Sequence, residues 1–391
     1  MKTVCETLQT PVTHTCDVLV AGGGIAGIAA ALAAARQGKR VTLLERGFML
    51  GGLATAGMVV IYLPLCDGYG KQVSFGIAEE LLRLSVSIPA EGFDIREPWK
   101  RNGVRTEKDA RFEADFNPQL FAMLAEQALL KEHVHILYGT TAVAVEMESD
   151  RIQTVIAENK SGRFGIAVNT VVDTTGDADI VKFANAPAAT QQKNVLSAWY
   201  FGAGKDGYRI HPLSEGYRNP EKAARLYSGL DGDEISQNVC AMHEWILRDI
   251  QTRRTQSDAS WQPATIPTIP LFRMTRRIRG AYTLHDTQMH TCFEDSIGLV
   301  SDWRERGPVY EVPFRTLYSD KVKNLLCAGR CTSVTDEMWD IMRVIPCCAV
   351  TGEAAGVAAA MTDDMPSLDV TQLQSVLRKN GVVIHENDLE E

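Results

Sequence analysis

Two groups of residues in this chain have the types and spacing to do chemistry. The first is basic. Arg273, Arg276, Arg277 and Arg279 crowd into the stretch from Leu271 to Gly280, and Arg343 stands further along the chain. Guanidinium groups bind carboxylate or phosphate through paired, charge-assisted hydrogen bonds, so this density points to an anionic small molecule. Arg276 and Arg343 are the favoured substrate-handling residues, with Trp339 and Asp340 either as a roof over the same place or, the commoner fate for a tryptophan, Trp339 as a buried core residue. The competing reading is a solvated basic strand neutralised by Glu294, Asp295 and Asp302. The second group is glycine. Gly22, Gly24 and Gly27 form a G-x-G-x-x-G. Gly22 permits a tight turn, Gly24 lets a pyrophosphate reach the backbone, and Gly27 lets a following helix lie close to its strand. That helix would aim the free N–H groups around Ile25 and Ala26, and a partial positive charge, at the pyrophosphate.

Such glycines act only in a strand–turn–helix–strand setting, and the flanking residues supply one. Residues 16–21 are an apolar run of strand length, and an alanine-rich stretch then reads as helix through Arg36. Residues 40–44 read as a second strand ending in Glu45, whose carboxylate is placed to accept hydrogen bonds from ribose hydroxyls. The Gly51-Gly52 pair follows, either approaching a ligand closely or forming an ordinary loop. Two later apolar strands also end in small-residue turns, residues 170–173 before Gly176-Asp177 and residues 324–328 before Gly329-Arg330. A parallel sheet built from chain-distant strands, with ligand at their carboxyl ends, is the economical arrangement.

The remaining pattern is mixed. Helices are expected at residues 77–84 and 118–132, and strands at 134–137, 141–146, 151–158 and 163–169 with turns between them. Residues 59–111 are irregular, punctuated by prolines and glycines including Pro89 and Pro98. From 188 to 320 the pattern loosens into strands and one helix at 239–252, which reads as an inserted second domain. A second G-x-G-x-x-G, from Gly202 to Gly207, is expected to be a hairpin turn, because Pro212 and Gly216 interrupt any following helix. Beyond the inserted domain, after the strand 324–328, a further helix is expected over residues 351–361.

Composition narrows the class. The net charge of −9 argues against nucleic acid, whose binding needs a concentrated basic surface. Residues 1–15 are polar, without a charged-then-apolar leader, and the apolar stretches 25–35 and 354–361 are too short to span a bilayer. The expectation is a cytoplasmic enzyme with a small-molecule substrate and no nucleic-acid or membrane partner. Nine cysteines are scattered without any Cys-x-x-Cys. Cys327, Cys331, Cys347 and Cys348 read as small core residues, so neither a disulfide framework nor a metal site is expected.

Taken together, these motifs resemble the FAD-dependent oxidoreductases of the glutathione-reductase-like flavoprotein superfamily, in particular the bacterial branch named simply FAD-dependent oxidoreductase. The resemblance covers nearly the whole chain. It rests on the glycine motif with Glu45, on Gly51-Gly52-Leu53-Ala54, on Asp173-Thr174-Thr175-Gly176-Asp177, and on Asn324 through Arg330. Its last piece is Arg343-Val344-Ile345-Pro346 running into Thr351-Gly352-Glu353-Ala354-Ala355-Gly356. The resemblance implies an α/β fold: a Rossmann-like FAD-binding domain with a central parallel sheet over residues 1–187 and 321–391. An inserted, mainly β substrate or cap domain would take residues 188–320.

It also implies FAD as cofactor. Gly22, Gly24, Ile25, Ala26 and Gly27 would hold the pyrophosphate, Glu45 with Arg46 the adenosine ribose, and Gly51, Gly52, Leu53 and Ala54 the ribityl chain. Val143 would meet adenine through its backbone. Gly176 and Asp177 would close over the ADP part, and Gly329 and Arg330 over the pyrophosphate and ribityl region. A helix after Thr351, with Val344 and Gly352 near its start, would aim its N-terminus at the flavin N1–C2=O edge. Negative charge appears there on reduction, and a helix N-terminus stabilises it by a fraction to about 2 kcal/mol. The implied reaction is hydride transfer between substrate and flavin N5. Tyr62, Cys66, Asp67 and Gln72 would form a pocket wall, and His285 and His290 read as loop histidines. With no second nucleotide fold and no Cys-x-x-Cys, the pyridine-nucleotide disulfide reductases are set apart. Two alternatives stay open: a flavoprotein reduced by a separate protein donor, and a non-catalytic binding protein on the same fold.

Overall fold

The first apolar run proves to be the buried end of a longer strand, β1 (Val12–Ala21). Its opening residues Val12 and Thr13 are exposed, and His14 packs its ring against His135 and Phe164 at the sheet surface, which is why they look like a polar tail in the sequence. The computed structural model describes residues 2–89, 93, 95, 99, 110–205, 207–214, 223 and 225–390. Part of the irregular stretch 59–111, including Pro98, lies outside them, as do Asp206, Glu215 and Gly216.

After β1 come α1 (Ile25–Arg36), β2 (Val41–Glu45), β3 (Ile61–Tyr62), α2 (Ile77–Ser85), β4 (Ala114–Asp115) and α3 (Pro118–Lys131). The Asn117 side chain caps α3 by accepting from Gln119 and Leu120 N–H. Next are β5 (His135–Tyr138), β6 (Thr141–Glu148), β7 (Arg151–Asn159), β8 (Gly162–Asp173) and α4 (Asp179–Phe183). The two strands expected at 163–169 and 170–173 are thus one.

The central sheet runs β5-β2-β1-β8-β7-β6, with β16 (Leu325–Cys327) also on β8. β1 occupies one side of β8 along its length. On the other side the first half of β8 pairs antiparallel with β7, and its last three residues pair parallel with β16. The register sets Leu44 and Asp173 opposite Ala21, Cys327 opposite Asp173, and Tyr138 opposite Glu45. Five parallel strands therefore finish in one row, and the loops that leave them are neighbours in space. The fold is mixed α/β with a central, mostly parallel sheet.

Residues 188–320 feed several apolar clusters. β10 (Trp199–Gly204), β11 (Gly207–Pro212) and β12 (Gln262–Thr265) form a small sheet beneath α5 (Gly232–Gln256), following the short β9 (Ala188–Thr190). Tyr200, Phe201, Met242, Ile246, Trp261 and Leu271 pack there with Met58 and Val60. Helix α5 starts seven residues before the expected 239, because Asp231 caps it by accepting from Glu234 N–H. Gly204 pairs with Gly207 across the β10–β11 turn, so the second glycine motif is a hairpin. β13 (Arg276–Ile278) pairs with β9, while β14 (Ser296–Ser301) and β15 (Val309–Pro313) form a hairpin whose apolar residues join the main core.

The C-terminal helices are α6 (Asp336–Met342), α7 (Ile345–Met361) and α8 (Val370–Lys379). α7 begins at Ile345, not after Thr351. Pro346 lies in its first turn, where the missing N–H would be unpaired anyway, so the proline opens the helix rather than ending one. Helix α7 crosses α1 backbone to backbone. A Cβ on Gly352 would fall 2.3 Å from Ala26 O, and one on Gly356 2.2 Å from Ala30 O. Among the described residues no single helix is long and apolar enough to cross a membrane; the bent apolar pair α6–α7 would pass by composition, but α7 is buried from Ile345 to Ala360.

Candidate functional site

The turn after β1 is shaped by its glycines. Gly22 (φ 111°) donates its N–H to Leu44 O at 2.9 Å, and a Cβ there would fall 2.5 Å from Thr174 O. A Cβ on Gly27 would fall 1.9 Å from Gly22 O. Gly24 is different. Its φ is an ordinary −69°, and a Cβ there would meet nothing within 4 Å. Gly24 is the N-cap of α1, no side chain caps the helix, and no acid sits in its first turn. The first N–H groups of any α-helix lack intrahelical partners, so Ile25, Ala26 and Gly27 face an open, electropositive space. A helix start of this kind can seat an anion.

The neighbouring strand ends wrap that seat. Glu45 accepts from Gly23 N–H through Oε2 (2.9 Å) and from Gly47 N–H through Oε1 (2.6 Å), leaving each oxygen a further lone pair. Arg46 is exposed. Gly51 (φ 100°) donates to Gly23 O at 2.8 Å, and a Cβ on Gly52 would lie 3.3 Å from Gly24 Cα. The 3-10 turn Gly52–Ala54 therefore passes beside the seat, carrying Leu53 onward to the core under α5. Thr140 N–H donates to Glu45 O at 3.0 Å, which starts β6 beside Glu45. The β6–β7 pairing then skips Val143, leaving that backbone outside the ladder.

The turn after β8 is organised by Asp173 and Thr174, whose roles no sequence motif revealed. Asp173 is buried, and burial pushes its carboxyl up to about 6. Its Oδ1 accepts from Thr175 N–H and Oγ1–H, and its Oδ2 from Val181 N–H. Thr174 Oγ1 donates toward Gly22 O and Ala21 O, tying this turn to the first one. Gly176 (φ 79°) faces the Arg330 guanidinium, with 2.2 Å between its ideal Cβ and Nη2. Arg330 also lies 3.6 Å from Asp177 Oδ1. Gly329 (φ 70°) donates to Thr351 Oγ1 at 2.9 Å, and its ideal Cβ points at Ala26 Cβ (2.9 Å) and Cys348 Sγ (3.4 Å). The first turns of α1 and α7 thus meet over Gly329. Val344 caps α7 with no side-chain bond, and again no acid occupies the first turn. Burial raises the Cys348 thiol to about 11, which keeps it neutral there.

The arginines behave otherwise than the sequence suggested. Arg276 is buried, with Nε donating to Asp177 O (2.9 Å) and Ala178 O and Nη2 to Asp179 (2.7 Å). It braces the Gly176-Asp177 turn from behind and offers no fork to a substrate. Arg343 is paired with Asp340 three residues earlier. Trp339 is fully buried, donates Nε1–H to Arg330 O at 2.9 Å, and carries the Arg277 guanidinium 4.3 Å above its ring. It belongs to the core and roofs no cleft. Arg277 pairs with Asp336, while the expected neutralising acids Asp295 and Asp302 serve Arg315 and Arg304. Of the residues expected to handle substrate, Arg276 and Trp339 thus hold the Asp177 and Arg330 turns, and Arg343 is held by Asp340. Gly352 sits in the second turn of α7 against Ala26, where its missing side chain serves helix packing. Tyr62, Cys66 and Gln72 are buried in hydrogen bonds to Ala78 O, Ala110 O and Ser74 O, and Asp67 caps Tyr69 and Lys71 N–H. They hold their own loop together.

One edge of the sheet thus gathers Gly22, Gly24, Ile25, Ala26, Gly27, Glu45, Gly51, Gly52, Gly176, Asp177, Gly329 and Arg330. Two uncapped helix N-termini without acids, and an opening that a Cβ on Gly24 would enter, suit the anionic middle of a dinucleotide. The family model described as FAD dependent oxidoreductase matches residues 17–198 and 234–377. A thioredoxin reductase of Ureaplasma parvum is 33% identical over 94 residues, which is 23% of this chain and 30% of that protein. A geranylgeranyl bacteriochlorophyll reductase-like protein from Thermoplasma acidophilum superposes with a TM-score of 0.46 at 14% identity, over 94% of this chain and 82% of the other. A myxobacterial chondrochloren halogenase does so with a TM-score of 0.44 at 14% identity, over 94% and 79%. Neither superposition bears on the reaction. The family match spans most of the chain and both halves of the strand-end row: this protein belongs to the FAD dependent oxidoreductase family, and its cofactor is FAD.

Proposed function

We propose that the protein is a dehydrogenase or reductase that passes a hydride between a small organic substrate and flavin N5. The observation that carries this reading is the row of strand ends bearing Gly22, Glu45, Gly176 and Gly329 beside two open helix N-termini. In the proposal Ile25, Ala26 and Gly27 N–H groups bind the pyrophosphate, and Gly24 gives it room. Glu45 accepts from the adenosine ribose with its spare lone pairs, and the unpaired backbone at Val143 meets adenine. Arg330, already beside Asp177, screens the phosphate charge from the β8 turn. The N-terminus of α7 at Val344 favours negative charge brought near it. Bound FAD would supply the hydride acceptor or donor; the chain binds, orients and excludes water.

The substrate side follows from what is tied to the Gly52–Ala54 turn. Trp199 Nε1–H on β10 donates to Gly57 O at 2.8 Å, and Thr268 N–H donates to Ala56 O at 2.9 Å. The small sheet under α5 is therefore fastened to the segment leaving the cofactor loop, which supports residues 188–320 as the part that covers the substrate. Because Arg276 and Arg343 are committed to internal pairs, the proposed substrate is small and organic without a required negative charge. An anaerobic screen of acids, amines, sugars and alcohols against the FAD-loaded protein tests the reading. Bleaching of the bound flavin by one compound class, reversed by oxygen or an added acceptor, is expected. Full flavin occupancy with no bleaching by any organic donor, and no substrate-dependent reoxidation of chemically reduced enzyme, would overturn it.

A further inference from the structure

Three side chains far apart in sequence meet at one point away from the strand-end row. Cys292 lies before β14, Glu311 on β15, and His385 in the chain after α8. Their ligand atoms all lie within 4.8 Å of one another. His385 Nδ1 is 3.0 Å from Glu311 Oε2 and 3.8 Å from Cys292 Sγ. A tetrahedral zinc ion with ordinary bond lengths sets N···O edges near about 3.3 Å and S···N edges near about 3.6 Å. The observed separations match these edges within a few tenths of an ångström. We infer that Cys292, Glu311 and His385 form a binding site for a thiolate-tolerant divalent transition-metal ion, of which Zn²⁺ is the representative.

The surroundings support a ligand role for each residue. Glu311 is only 3% exposed, and its oxygens are fixed by Phe293 N–H (2.8 Å to Oε2) and Glu386 N–H (3.1 Å to Oε1). Such outer hydrogen bonds orient a coordinating carboxylate. Among the described residues its ion-pair partner is His385, with no lysine or arginine beside it. A buried carboxylate calls for a countercharge, and a cation shared with an imidazole and a thiolate provides one. One soft sulfur, one imidazole nitrogen and one oxygen are a donor set suited to zinc. Cys292 is exposed, so the fourth corner opens to water. On coordination the Cys292 thiol releases one proton to solvent, and His385 carries its remaining proton on Nε2. Next to the triad, His290 Nδ1 lies 2.8 Å from Glu386 Oε1 and holds the two flanking segments together. The bound ion would clip the C-terminal segment to the β14–β15 hairpin. Cysteine spacing could not reveal this, since His385 is 93 residues from Cys292 and 74 from Glu311.

The test uses the full-length, FAD-loaded protein after chelator treatment and dialysis. Calorimetric titration with zinc chloride is expected to show one saturable site per chain, and zinc is expected to raise the unfolding temperature. Cys292→Ser and His385→Ala, each with normal flavin content, should weaken zinc binding at least about tenfold and abolish the thermal shift. If His385→Ala fails to fold, Cys292→Ser, at an exposed position, decides alone. No saturable site in the wild type, or wild-type zinc binding by Cys292→Ser, would overturn the inference.

Discussion

Replacing Gly24 with alanine should separate cofactor binding from folding. The φ of −69° suits any residue, and the added Cβ meets no protein atom within 4 Å. Two small effects on the apoprotein oppose each other. Alanine stiffens the unfolded chain, a gain of about 0.4–1 kcal/mol, but it is a poorer N-cap than glycine by a similar amount. The stability of the apoprotein should therefore stay within about 1 kcal/mol of wild type. The methyl group, however, occupies the space through which a pyrophosphate reaches the Ile25 and Ala26 N–H groups. Losing one hydrogen bond to a charged phosphate oxygen costs about 1.5–3 kcal/mol, or roughly 10- to 150-fold in FAD affinity. Urea unfolding of the apoprotein measures the first quantity, and quenching of flavin fluorescence on titration measures the second. A Gly24→Ala protein that binds FAD as tightly as wild type would refute the placement of the pyrophosphate. A large loss of apoprotein stability would refute the claim that this space is open.

Gly356→Ala should behave in the opposite way, because its Cβ would fall 2.2 Å from Ala30 O and force α1 from α7. An overpacking cost of about 1–3 kcal/mol outweighs the ~1 kcal/mol helix-propensity gain, so the melting temperature of the apoprotein should fall. Arg276→Ala removes the partner of Asp179 and the brace on the Gly176-Asp177 turn. A loss of about 2–3 kcal/mol in urea unfolding is expected, at the low end for a buried pair because Asp179 is 36% exposed. Reduced flavin content should accompany it, with the substrate KM of the fully loaded fraction unchanged; a raised KM alone would restore a substrate role. Glu353 supplies a pH dependence. Burial on α7 raises its carboxyl from 4.5 to about 7. Stability present below pH 4.5, where the group is protonated in both states, is lost as pH climbs to about 7 and stays lost above. That rise in pKa corresponds to about 3 kcal/mol. Glu353→Gln keeps an acceptor for Ile77 N–H, so it should match wild type at pH 4 and exceed it by up to that amount at pH 8. Parallel stability–pH curves for the two proteins would contradict this.

The parallel sheet was legible in the sequence because three of its five parallel strands, β1, β8 and β16, run into turns whose residues are chosen for backbone geometry. Gly22, Gly176 and Gly329 all take positive φ, and the turn residues around them announce their strands. The start of α7 was placed six residues late because the Ala/Gly run that marks the helix begins only after Thr351, while its first turn is built from Ile345 and Pro346. The arginine cluster misled because charge density along a chain does not show direction. Arg276 turns inward to Asp177 and Asp179, and Arg277 turns inward to Asp336 and Trp339. Thr174 went without a role because its partner Gly22 becomes a neighbour only when β8 is laid beside β1, and Asp173 because the turn into α4 must fold back to bring Val181 N–H to it. The Cys292–Glu311–His385 cluster is hidden in the same way, since no local spacing joins its three members.

The account stands on the pyrophosphate being seated at the start of α1, with both helix N-termini directed at one bound cofactor. A crystal structure of the FAD-loaded protein tests this most directly. We predict phosphate oxygens within hydrogen-bonding distance of Ile25 or Ala26 N–H, Glu45 on the adenosine ribose, and the flavin ring near Val344 at the start of α7. FAD bound with its phosphates away from Gly24, or with the ring remote from α7, would contradict it.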